Sequence, residues 1–160
     1  MEQDKFSHLD KDGSANMVDI SEKNITNRFA SASCTVELSE KAYSLVKENQ
    51  IQKGNVLNIA KIAAISASKK THDLIPLCHQ IPLSKVDIEF TLNDEKNTID
   101  IHGIVITDWK TGVEMEALTA VSIASLTIYD MCKSVDKSIR ITDIQLDKKT
   151  GGKSGNYTRK

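Results

Sequence analysis

Cysteine, proline and aromatic residues are all scarce in this 160-residue chain, with three Cys, two Pro and 4% Phe, Trp and Tyr. Cys34, Cys78 and Cys132 are widely spaced and odd in number, which excludes a disulfide framework and suits a reducing compartment. An excess of one charge is missing as well. Twenty-one Lys+Arg face 22 Asp+Glu, so the basic surplus of a generalised nucleic-acid binder is absent. No run approaches the ~18 apolar residues that span a bilayer. Residues 1–11 are charged, without the apolar stretch of a secretory signal. The expectation is a cytoplasmic protein with neither membrane nor nucleic acid as partner. What is present suffices for a core. With 39% hydrophobic and 27% charged residues the chain should form one compact domain.

Residues 1–16 are polar and unpatterned and read as a flexible N-terminal arm. The segment 17–148 reads as the single domain, and 149–160, KTGGKSGNYTRK, as a Gly/Lys-rich mobile tail contributing to the site. Ala30, Ala32, Cys34, Val36 and Leu38 alternate with polar residues, the period of a half-buried strand. Ser39 can cap a short helix reaching about Glu48. A second helix, from after Gly54 to about Lys70, is apolar nearly all round. Val86, Ile88, Phe90 and Leu92, a polar turn, then Ile99, Ile101, Ile104 and Ile106 predict an antiparallel hairpin with Gly103 a candidate bulge. Thr111-Gly112-Val113-Glu114 has the form of a capping box ahead of a long helix to about Lys133. Ile139, Ile141, Ile144 and Leu146 make a last strand bulged near Thr142. This order predicts an α+β fold, a four-stranded antiparallel sheet with helices packed on one face. The two long helices carry more apolar surface than one small sheet covers, so they should meet across subunits of an oligomer.

Three places could carry chemistry. Pro76 and Pro82 bracket Cys78-His79 in a stiffened loop, although a buried thiol beside a surface histidine would look the same. His72, Cys78 and His79 lack zinc spacing, so no metal site is expected. Asp130 follows Ile123 and Leu126 on an apolar stripe near a helix end, where burial and the helix dipole should raise its pKa. Lys133, one turn on, opposes that shift. The alternative is a surface ion pair worth about 0.2–0.5 kcal/mol, but flanking Tyr129 and Met131 favour burial and proton transfer. Glu114 has structural work in the capping box; Glu116 has none, and Met115 between them suits core or pocket wall equally. Lys53-Gly54 and Lys148–Gly155 are candidate phosphate binders. The tail is not a P-loop, because Asp147 stands where the first glycine belongs.

THDLIPLCHQIPLSKV, KTGVEMEALTAVSIASLTIYDMCK and GGKSG, with Met17-Val18-Asp19-Ile20 before them, resemble the molybdenum cofactor biosynthesis protein C family, the cyclic pyranopterin monophosphate synthases. The resemblance implies a ferredoxin-like fold in a homohexamer, a trimer of dimers with active sites between subunits. It implies a lyase that takes cyclised guanosine triphosphate from a radical-SAM GTP cyclase. The guanine-derived ring is rebuilt into a pyranopterin, a cyclic phosphate closes and pyrophosphate leaves. By matching position, Asp130 and Lys133 are catalytic. Leu77, Cys78, His79, Met115 and Glu116 contact substrate, and Lys53, Lys149, Lys153 and Arg28 lie near the triphosphate. No cofactor is required, and Mg2+ accompanying the triphosphate is compatible. The chain departs from the family at His72 and Gln80, where Trp and Pro are expected.

Two rival classes are a thiol-dependent enzyme using Cys78-His79 and a non-catalytic nucleotide-binding oligomer. One geometric consequence follows from helix rise alone. Glu116 and Asp130 lie about 21 Å apart on one helix at ~1.5 Å per residue. A composite site is therefore expected, with Asp130 and Lys133 from one subunit facing contacts that include Lys53 from its neighbour.

Overall fold

The alternating segments become strands of one sheet. The computed structural model describes residues 12–153 and 155–160. Its elements are β1 Thr26–Glu37, α1 Glu40–Lys47, α2 Val56–Ser68, α3 Thr71–Leu74, β2 Lys85–Asn93, β3 Thr98–Trp109, α4 Glu114–Cys132, β4 Arg140–Thr150 and β5 Tyr157–Thr158. Every pairing is antiparallel, in the order β2-β3-β1-β4-β5. The sheet is thus five-stranded rather than four, because Tyr157 and Thr158 of the tail pair with Lys149 and Lys148. The fold is α+β and consistent with a ferredoxin-like arrangement. Most of the predicted arm, residues 1–11, lies outside the described residues.

Period two sorts the sheet into a core face and an open face. Ala30, Ala32, Cys34 and Val36 of β1 stand level with Val105, Gly103, Ile101 and Ile99 of β3, and all the side chains are buried. Helix α4 lies on β1, β3 and β4, and α2 lies on α4 and β2. The register runs unbroken through Gly103, which corrects the expected bulge. The glycine serves close approach instead: a Cβ there would stand 2.9 Å from Val121 Cγ1 of α4. The β4 bulge is real. The pairing with β1 slips past Asp143 and Ile144, and Asp143 takes a left-handed φ of 55°.

Helix starts follow local chemistry where a small polar side chain is free to cap. Ser39 Oγ accepts from Ala42 N–H at 3.3 Å to begin α1, and Asn55 Oδ1 accepts from Asn58 N–H at 2.9 Å to begin α2. The capping box at α4 does not form. Its N-cap is Val113 with no side-chain bond, because the Glu114 carboxylate turns to Lys149 of β4, 3.0 Å away. A full opposite charge outcompetes a backbone N–H for that carboxylate. Gly112 leaves the room, since a Cβ there would collide with Glu114 Oε2. The outer faces of α2 and α4 remain apolar in the single chain, with Ile62 66% and Leu126 53% exposed. Among the described residues no helix is long and apolar enough to cross a membrane.

Candidate active site

At the edge where β1 meets β4, the sheet ends in a basic hollow of about 630 Å³. Arg28, at the start of β1, is buried among its walls. It donates from Nε to the Trp109 carbonyl at 3.3 Å and from Nη2 to the Lys110 carbonyl at 3.4 Å. Lys110, Lys149, Lys153 and Lys23 supply further positive charge. Gly151 and Gly152 have φ of +91° and +85°, and a Cβ on either would collide with the Asn27 carbonyl or the Arg28 guanidinium. Glycine therefore lets this turn cross the guanidinium at contact distance. Cations with exposed backbone make a place for a polyanion. The structure brings Arg28, Lys149 and Lys153, grouped by the resemblance, to the walls of one hollow.

A second hollow of about 780 Å³ shares Lys23, Thr111, Gly112 and Glu114 with the first. Its remaining walls are more apolar and include Leu77, Cys78, His79, Met115 and Glu116. Glu116 is 3% exposed. Burial pushes its carboxyl up to about 7, with the nearby Glu114 charge adding to the rise. That carboxyl can exchange a proton near neutral pH. The Cys78 thiol is also pushed up, first by burial and then by Glu116. A reactive cysteine needs the opposite shift, so nothing around this thiol activates it by lowering its pKa. His79 Nε2 lies 2.8 Å from the Val18 carbonyl oxygen, not among the lysines of the basic hollow. Of the two departures, His72 pairs with Asp73 at 3.4 Å and Gln80 is exposed.

The other end of α4 carries a separate cluster. Lys133 Nζ is 2.6 Å from Asp130 Oδ1. Lys53 Nζ donates to the Asp130 carbonyl at 2.8 Å and stands 3.6 Å from Oδ2. Two expectations are corrected here. The Asp130 side chain is 61% exposed rather than buried, because the stripe it shares with Leu126 faces solvent in the single chain. Lys53 stands beside Asp130 and Lys133 and does not line the hollow of Arg28, Lys149 and Lys153. The hydrogen bond from Lys133, then its charge and that of Lys53, hold the Asp130 carboxyl below the usual range. The same hydrogen bond raises Lys133. Both groups are charged at neutral pH in the lone chain.

Sequence reasoning missed Lys110 and Lys23 as cleft residues and gave Glu114 only a capping role. Lys110 was within reach, since it heads the KTGVEMEA run. Among the described residues no group of three His, Cys, Asp or Glu could hold a metal ion.

A family model described as the MoaC family matches residues 17–152. The chain is 51% identical over 155 residues to the cyclic pyranopterin monophosphate synthase of Peptoclostridium acidaminophilum, covering 97% of this chain and 98% of that protein. It is 52% identical over 156 residues to the enzyme of the same name from Heliobacterium modesticaldum, 98% of each chain. The mitochondrial cyclic pyranopterin monophosphate synthase of Arabidopsis thaliana is 51% identical over 155 residues, which are 97% of this chain and 57% of the plant protein.

Proposed function

This chain belongs to the MoaC family, and from that membership we propose how its own residues divide the family's reaction. The protein is a lyase of molybdenum cofactor biosynthesis. It converts (8S)-3′,8-cyclo-7,8-dihydroguanosine 5′-triphosphate to cyclic pyranopterin phosphate and releases pyrophosphate. Ring opening and rebuilding need proton transfers. Closing the cyclic phosphate forms one P–O bond at the innermost phosphorus as the bond to pyrophosphate breaks.

The basic hollow of Arg28, Lys149 and Lys153 takes the triphosphate and offsets the charge that develops on the leaving pyrophosphate. The adjoining hollow of Leu77, Cys78, His79, Met115 and Glu116 takes the ring system. Asp130 and Lys133 exchange the protons of ring chemistry, with Lys53 beside them. These groups reach the ring from a second copy of the chain. The observation that carries this reading is the roughly 21 Å along one unbroken α4 between Glu116 and Asp130, too far for one compact site. The exposed Ile62 and Leu126 supply apolar surface for the contact. A trimer of dimers would hold six such sites. A covering partner would strip water from the Asp130–Lys133 pair and bring its two protonation equilibria closer to neutrality. The substrate comes from a radical-SAM GTP cyclase, and the three free cysteines suit a cytoplasmic setting.

Mixed oligomers test the composite site, with turnover read as pyranopterin fluorescence after oxidation together with pyrophosphate release. Asp130→Ala mixed with Lys149→Ala should regain activity, because each subunit supplies the end the other lacks. Asp130→Ala mixed with Lys53→Ala should stay inactive, because both residues lie at one end. If subunits exchange and the first mixture stays dead, each site is built within one chain.

A further inference from the structure

The Met17–Ile20 stretch carries a family likeness without a role. In the fold, its Val18 and Ile20, with Lys23 beyond, line the more apolar hollow. Side chains from two different loops hold this stretch. His79, in the loop after α3, brings Nε2 to 2.8 Å from the Val18 carbonyl oxygen. Lys110, between β3 and α4, donates from Nζ to the Ser21 carbonyl oxygen. Between those anchors, Asp19 Oδ1 accepts from the Ser21 N–H at 2.8 Å, and the Ile20 carbonyl accepts from the Lys23 N–H at 3.1 Å. That backbone bond from Ser21 holds the Asp19 carboxyl below its usual range, and the charge of Lys110 acts in the same direction.

A carbonyl oxygen can only accept, so the His79 nitrogen facing Val18 carries hydrogen. The neutral ring then keeps Nδ1 as its only acceptor.

We propose that residues 17–23 form a strap that positions His79, the Val18 carbonyl committing Nε2–H so that the ring meets substrate through Nδ1. Asp19 is a positioning residue: it shapes the turn between the two anchors and touches no reacting atom. Lys110 tethers the strap from the other loop. The inference rests on the proposed site only for what His79 meets, since the Nε2–H contact is a property of the free enzyme.

The test is NMR on the free enzyme with labelled histidine, at about pH 8, where an ordinary imidazole is neutral. The His79 signal is assigned by its loss in His79→Asn. The expected result is an Nε2–H proton slowed in exchange by its hydrogen bond. Asp19→Ala should lose that slow proton and lower kcat/KM roughly tenfold, the worth of about one hydrogen bond. Asp19→Asn keeps the oxygen that accepts from Ser21 and should restore both. Should Asp19→Ala fail to fold, Lys110→Met cuts the other anchor and should lose the same proton. An Nδ1–H ring in the parent, or a slow proton that survives these changes, overturns the strap. So does its loss in Asp19→Ala with kcat/KM intact. A failed composite site would leave the slow proton in place, so the two readings fail separately.

Discussion

At its first turn α4 holds Glu116 almost out of water, where burial pushes the carboxyl up to about 7. At its last turn the same helix leaves Asp130 in water, with Lys133 holding that carboxyl down. Both acids have apolar neighbours in sequence, so local composition does not explain the difference. What differs is what packs over each end. Glu116 lies in the hollow under the Cys78-His79 loop, whereas the Asp130 side chain, on the outer face of a turn whose Ile128, Met131 and Cys132 are buried, is approached by Lys53 and Lys133. One carboxyl is walled in by the chain, and the other stands open in the single chain. This contrast teaches that what packs over a carboxyl, not its sequence neighbours, sets the direction in which its pKa moves.

The largest effect expected from breaking this contrast is at the open end. Asp130→Asn keeps shape but cannot take up a proton, and kcat should fall about 10³-fold with KM little changed. Steady-state turnover of the cyclised triphosphate measures it. Normal kcat would remove Asp130 from proton transfer and leave the exposed couple a surface ion pair. Next in size is the basic hollow. Lys149→Ala should raise KM by roughly 10- to 100-fold at low salt, and by less at high salt, where phosphate attraction is screened. A KM insensitive to both changes would place the triphosphate elsewhere.

The strands were legible because alternation is a local pattern, and β1, β2, β3 and β4 all fall on their predicted stretches. The bulge near Thr142 was legible for the same reason. Gly103 was misread because its cause, Val121 Cγ1, lies on another element and leaves no local mark. The capping box at Thr111 failed similarly: the competing partner of Glu114 is Lys149, more than thirty residues on, in β4. Arg28, Lys149 and Lys153, grouped by the family likeness, line one hollow, although Arg28 carries no local mark that would group it with the tail. Lys53 and Asp130 were placed wrongly with respect to each other, since nothing in sequence shows the α1–α2 loop reaching the end of α4. The expected burial of Asp130 was an inference from a stripe that faces solvent in one chain. The apolar surplus was read correctly, and the part of the stripe it exposes is where Asp130 sits.

The smallest expected effect sharpens the comparison at its closed end. Glu116 titrates from about 4.5 when unfolded and about 7 when folded. Its contribution to stability is therefore complete below 4.5 and is lost as pH rises to about 7, because the folded chain holds its proton longer. Above that window the buried charge costs up to ~3 kcal/mol. Glu116→Gln cannot ionise, so at about pH 8 it should be more stable than the parent by about 1–3 kcal/mol. Urea unfolding across the window measures this. Asp130→Asn provides the internal contrast. Its lowered carboxyl contributes above the ordinary 3.8 and is lost only as pH falls below it, so through the Glu116 window the variant should run parallel to the parent. A Glu116→Gln curve that also ran parallel would mean that the first turn of α4 is as wet as the last, and the two ends of the helix would no longer differ in kind.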